Sequence, residues 1–172
     1  MKPDVILAFS FGGNDEIDIV NWRIGARAKR LAQKYNAPMV IQAEIINKAA
    51  QVTPFNGGDY EFNPIVIGSN TAHLSTFQVI LEFSKFAEER GWKKVSAVAA
   101  PPHCRRCIRD LKKFGFEIFK DSYNSFKDYS IYVWYNIESS QWWTRSLLNW
   151  WIREIPLRLL PWRIYKKIAR SR

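Results

Sequence analysis

The sequence predicts an α/β fold: a mainly parallel sheet between two layers of helices, with a helical tail at the C-terminus. Three observations lead there. Short, continuously apolar runs rich in Val and Ile recur along the chain, as strands buried on both faces require. Longer stretches with helical spacing lie between them. The two kinds alternate, which is the pattern of a parallel sheet carrying helices on both sides.

Asp4 to Phe9 reads as the first strand, followed by the small-residue loop Ser10-Phe-Gly-Gly-Asn14. From Ile19 to Tyr35 the residues Val20, Ile24, Ala28, Leu31 and Tyr35 follow helical spacing, with Asp18 as N-cap and Pro38 beyond the end. Met39 to Ala43 is the second strand and Glu44 to Ala50 a short helix. Thr53 to Asp59 is a string of turn formers, the composition of a lid or binding loop. Pro64 to Gly68 is the third strand. Ser69-Asn70-Thr71 then marks the start of a long helix, where free backbone N–H groups and a partial positive charge would face a ligand. Leu74, Phe77, Ile80, Leu81, Ser84 and Ala87 form its inner face, and Gly91 its stop. Lys94 to Ala99 is a fourth strand. Pro101 and Pro102 open a helix to Phe114, and Phe116 to Phe119 is a fifth strand. Tyr129 to Tyr135, alternating β-branched and aromatic residues, reads as a last strand.

Composition narrows the class. An apolar fraction of 47% in 172 residues supports one folded domain rather than a disordered chain. Two cysteines three apart are no disulfide framework and suit a reducing, cytoplasmic setting. No apolar run is long enough to span a bilayer as a helix, and the N-terminus reads as a strand rather than a signal peptide. The net charge of +10 is unevenly placed. Residues 141–172 hold eight Lys and Arg against one acid, Glu154, and five of the eight tryptophans. The chain therefore divides into a nearly neutral domain, 1–140, and a basic, Trp-rich helical extension, 141–172, that packs on the domain or projects from it. Pro156 and Pro161 would split that extension into short helices. Its aromatic and basic residues suit either packing on the domain or contact with an anionic inner-membrane surface. No nucleic-acid module is present, so nucleic acid is not an expected partner.

In parallel α/β sheets, ligands bind at the carboxyl ends of the strands, where strand order reverses. The residues there are Ser10, Gly12, Gly13 and Asn14 after the first strand, Glu44 after the second, Asn70 and Thr71 after the third, and His103 with Arg106 after the fourth. His103 suits acid–base work near neutral pH, and Arg106, one turn on, suits an anionic group gripped through two N–H bonds. Each has a plainer alternative. Gly12-Gly13 can be an ordinary turn, Asn70 and Thr71 simple helix caps, and Asp15, Glu16 and Asp18 a solvated helix start. Cys104-Arg-Arg-Cys107 at a helix start could be a redox pair. It comes after the fourth strand, however, and a zinc site would need further ligands than His73 and His103, so no metal is expected. A Ser–His–acid triad of Ser10 or Ser69, His103 and Glu44 lacks the G-x-S-x-G turn that would present its nucleophile.

Three of these places together resemble the YdcF/SanA/ElyC family of bacterial domains. They are Phe9-Ser-Phe-Gly-Gly13 with Arg23 in the next helix, the Ser69-Asn70-Thr71 turn, and His103 with Arg106 before a helix that ends at Gly115. Gln141 to Glu154 resembles the C-terminal helix of some members. The resemblance implies a Rossmann-like three-layer fold. It also implies a site for S-adenosylmethionine or another nucleotide-like or anionic ligand, with Arg23 among its residues, and a link to the cell envelope. It implies no agreed reaction.

Overall fold

The core begins with β1, Val5–Ala8, four apolar residues with no exposed face. The computed structural model describes residues 2–12, 19–46, 64–68, 74–124, 126, 130–139 and 141–170. After β1 come helix α1 (Ile19–Tyr35), β2 (Met39–Gln42), the single turn α2 (Ala43–Ile46) and β3 (Ile65–Ile67). Helix α3 (Thr76–Arg90), β4 (Lys94–Val98), α4 (Pro101–Lys113) and β5 (Glu117–Ile118) complete the α/β part. Helices α5 (Leu147–Leu159) and α6 (Trp162–Arg170) form the extension.

The five strands make one parallel sheet in the order β3-β2-β1-β4-β5. Leu7 of β1 sits opposite Val40 of β2 on one side and Ala97 of β4 on the other. Strand order reverses between β1 and β4, so the Rossmann-like crevice lies beyond their carboxyl ends. Alternate residues feed two cores. On one face Ile6, Ala8, Ile41 and Val98 meet Val20, Ile24, Ala28 and Leu31 of α1. On the other Leu7, Val40, Val95 and Ala97 meet Val79, Ile80 and Phe83 of α3 and Leu111 of α4. Period 2 in the strands and 3.6 in the helices thus produce three layers.

The extension packs on this sandwich from both sides. Trp150 of α5 joins the α1-side core, and Tyr165 and Ala169 of α6 pack with Phe77 of α3. Among the described residues, no helix is long and apolar enough to cross a membrane.

The structure corrects three expectations. Helix α3 does not start at Ser69-Asn70-Thr71. Its N-cap is Ser75, in extended conformation, with the Ser75 hydroxyl and the Gln78 side chain each bonding the other's backbone N–H. Both residues of that reciprocal cap are needed to satisfy two free donors, which places the boundary where they stand. Tyr129 to Tyr135 is not a strand: Ile131–Trp134 is a 3-10 turn. The buried Trp134 indole lies edge-on to Phe126 with ring centroids 4.6 Å apart, while the β-branched Ile131 and Val133 stay exposed. Burying the Trp134 indole outweighs strand propensity here. Finally, Pro156 does not break the extension, since α5 runs through it. Pro156 and Ile152, whose carbonyl loses its partner, are both exposed, so water can satisfy that carbonyl. Gly91 and Gly115 take left-handed φ values of 67° and 90° after α3 and α4.

Candidate ligand-binding site

A cavity of about 120 Å³ lies at the β1/β4 crevice. The loop after β1 forms one wall. The Ser10 N–H donates to Gln42 Oε1 at 2.9 Å, and the Phe11 N–H donates to Asn21 Oδ1 at 2.9 Å. These two loop donors are therefore used within the protein. Gly12, at φ 78°, also lines the cavity. A Cβ there would lie 3.1 Å from Thr144 Oγ1 and 3.3 Å from Ser139 Oγ, so its close approach is to the chain's own hydroxyls. Gln42 and Glu44 at the end of β2 form a second wall, with Gln42 Nε2 donating to Glu44 Oε2 at 3.3 Å.

His103 sits in the first turn of α4, buried among Phe9, Phe11 and Trp150. Burial pushes its pKa well below the ordinary histidine value, and the charges of Arg106 and Arg153 add to that. The ring is neutral at pH 7. Arg106 Nη2, which can only donate, lies 3.2 Å from His103 Nδ1. Nδ1 is thus the acceptor and Nε2 carries the proton, which it gives to Thr76 Oγ1 at 3.1 Å. Neither ring nitrogen holds a lone pair for a substrate in this arrangement.

The Arg106 guanidinium is also committed. Its Nη1 donates to Glu154 Oε2 at 2.6 Å, and Glu154 Oε1 accepts from Arg158 Nε at 3.0 Å. Both Arg106 and Glu154 are buried. The two-pronged grip expected of Arg106 is therefore spent on His103 and Glu154, because the extension brings a carboxylate to it. Two residues of the cavity wall carry a buried donor with no acceptor among the described residues: Arg106 at Nε and Trp150 at the indole Nε1. The guanidinium lies over the Trp150 ring, 5.2 Å from its centroid.

Behind this wall, Asp110 is fully buried, accepting from Arg109 Nε at 2.8 Å and from the Tyr165 hydroxyl at 2.6 Å. Burial raises the Asp110 pKa against the pull of these partners. Burial also pushes the Cys104 thiol up to about 11 and Cys107 well above its ordinary value. Cys104 Sγ donates to the Ser122 carbonyl. The helix start does not make a thiolate here, because desolvation outweighs it.

Of the residues expected at a site, Ser10, Gly12, Glu44, His103 and Arg106 all line the cavity. Arg23 does not. It stands off the buried face of α1 formed by Val20, Ile24 and Ala28, and its Nη1 donates to the Val133 carbonyl at 3.3 Å. Gly13, Asn14, Asn70 and Thr71 lie outside the described residues. Sequence reading missed Asn21, Gln42 and Thr76, which position the named residues, and Trp150 and Arg153, which close the cavity from α5. One signal was available. Glu154, the single acid in a strongly basic stretch, reads naturally as an internal counter-charge. Compared with known proteins, the chain matches no family model, no curated protein and no solved structure.

Proposed function

We propose that this chain is a small-molecule-binding protein of YdcF-like type. Its ligand is nucleotide-like or otherwise anionic and sits at the β1/β4 crevice, and S-adenosylmethionine is the first candidate. One observation carries the reading. Arg106 and Trp150 both line the cavity, and each carries a buried N–H, Nε and Nε1, with no acceptor among the described residues. A buried unpaired donor costs about 1–3 kcal/mol, which a carboxylate or phosphate oxygen in the cavity would relieve once the two side chains turn these N–H groups toward it. Glu44 supports the nucleoside part, because Rossmann sheets use an acid beyond the second strand to take ribose hydroxyls. The enclosed volume of about 120 Å³ suits an anionic group rather than a whole nucleotide, so the remainder of such a ligand would lie across the mouth. His103, neutral and bonded at both nitrogens, suits holding Arg106 and Thr76 in place better than acid–base work.

The test is thermal shift and native mass spectrometry of the full chain with S-adenosylmethionine, AMP and inorganic phosphate. A ligand at a hundred times its Kd should stabilise the fold by about 2.7 kcal/mol. Trp150→Phe keeps the ring and removes one donor, and should weaken binding roughly five- to tenfold. A shift with phosphate alone keeps the anion site and discards the nucleotide. No shift with any of the three, and no ligand retained by mass spectrometry, would sink the proposal.

A further inference from the structure

Helix α5 has two faces of different character. Trp150, Glu154 and Leu157 point toward the domain. Leu148, Trp151, Ile152, Ile155 and Leu159 are between 38% and 79% exposed. At 3.6 residues per turn these five fall within an arc of about 100°, directly opposite the buried residues. A line of large apolar side chains along three turns of one helix is more than scattered surface exposure. Trp142, also exposed, lies just before the helix.

The exposed charge of the extension has one sign. Arg145, Arg163, Lys167 and Arg170 are exposed in the same extension. The only acid between residues 141 and 170, Glu154, is fully buried between Arg106 and Arg158. The surface of the extension therefore carries cations and no anions.

We infer that the outer face of α5 docks on an anionic lipid membrane. Within residues 141–172, whose aromatic and basic residues suit an anionic membrane surface, the contact falls on α5. Helix α6 turns Tyr165 and Ala169 onto α3. A membrane needs from a protein only an apolar stripe to insert and diffuse cations to meet its headgroups, with Trp at the interface. That is the inventory here. A second copy of the chain on this face would set cations against cations. An acidic protein partner would call for charged groups within the contact, and the five stripe residues carry none. The inner face of the same helix puts Trp150, Arg153 and Leu157 on the cavity, so docking holds the cavity about one helix diameter, roughly 10–12 Å, from the bilayer. The inference stands independently of which ligand the cavity takes.

Co-sedimentation of the full chain with vesicles tests it, using phosphatidylcholine alone and phosphatidylcholine with about one-third phosphatidylserine. The chain should bind the anionic vesicles roughly tenfold or more tightly than the neutral ones at low salt, with the preference fading as salt screens it. Quenching of its Trp fluorescence by brominated acyl chains should accompany binding. Ile152→Glu/Ile155→Glu alters only exposed positions, so its melting temperature should match the wild type while vesicle binding falls about tenfold or more. Arg163→Gln/Lys167→Gln should lose the preference for anionic vesicles and keep weak binding to both. Three results would overturn the inference. They are no binding to anionic vesicles at low salt, equal binding by the double-Glu variant, or a concentration-dependent dimer abolished by that variant in the absence of lipid. Capture by polyglutamate without any vesicle binding would assign the face to an acidic protein instead.

Discussion

Glu154 shows how far one side chain can set the role of others. It sits fully buried between Arg106 and Arg158, and Arg106 in turn fixes the His103 tautomer. Taking the carboxylate charge away leaves Arg106 buried without its counter-ion, a change that costs about 3–5 kcal/mol in comparable sites. Glu154→Gln is therefore expected to lower the urea midpoint by a large fraction of total stability, with little change in m-value. Arg158 is partly exposed, so Arg158→Gln should cost much less. His103 adds a pH dependence. Its folded pKa lies well below 6.5, so the unfolded chain binds more protons as pH falls past that value. Stability from this group is complete above about pH 6.5 and declines below it. Asp4 and Asp121 have lowered pKa values, through bonds from the Lys93 and Lys94 backbone and from Tyr35, and act only at lower pH, near 3.8 and below. Asp110, whose pKa burial raises, works in the opposite direction and gains stability as pH falls, so between pH 7 and 5 the melting temperature should fall more in the wild type than in His103→Gln. An equal fall in both would show that the buried ring is not its source.

At the scale of elements, boundaries rest on a few side-chain bonds. Ser75 caps α3 by accepting from the Gln78 N–H, and its hydroxyl donates to the Ala169 carbonyl at 2.8 Å. One hydroxyl thus joins the start of α3 to α6. Ser75→Ala should cost about 1–2 kcal/mol, the upper part of the range for a lost cap, because the link to α6 goes with it. For a chain of this size that is a fall in melting temperature of roughly 2–8 °C. An unchanged melting temperature would mean that neither bond contributes. The capping box was legible in Ser75-Thr-Phe-Gln78, but Asn70 and Thr71 are equally good cap formers and stand nearer the strand. Local chemistry offered two starts, and the packing of Ile80 and Phe83 on the sheet and of Phe77 on α6 goes with the later one.

Across the whole molecule, the extension completes the fold. Trp150 fills the α1-side core, Tyr165 bonds the buried Asp110, and Glu154 neutralises Arg106. The division at residue 140 separates a basic sequence from a neutral one, but the two share their cores. The full chain should therefore unfold in one transition, with far-UV and Trp-sensitive near-UV signals coinciding. A chain ending at Ser146 should lose that cooperative transition, since it exposes the α1-side core and leaves Arg106 without Glu154 and Asp110 without Tyr165. Two resolved transitions in the full chain would show the extension to be a separate unit.

The sequence by itself determined the five apolar strands, the helices between them and the placing of Ser10, Gly12, Glu44, His103 and Arg106 at strand carboxyl ends. Those features depend on periodicity and on turn chemistry, which act over a few residues. Only the tertiary structure decided what those residues do to one another. Arg106 finds Glu154 forty-eight positions away, His103 finds Thr76 across the crevice, and Arg23 turns to Val133. Such pairings depend on desolvation and geometry between distant segments, and no local pattern encodes them. The same holds for the +7 of the extension. Composition located the charge, but the fold buried its one acid and left an apolar line exposed along α5.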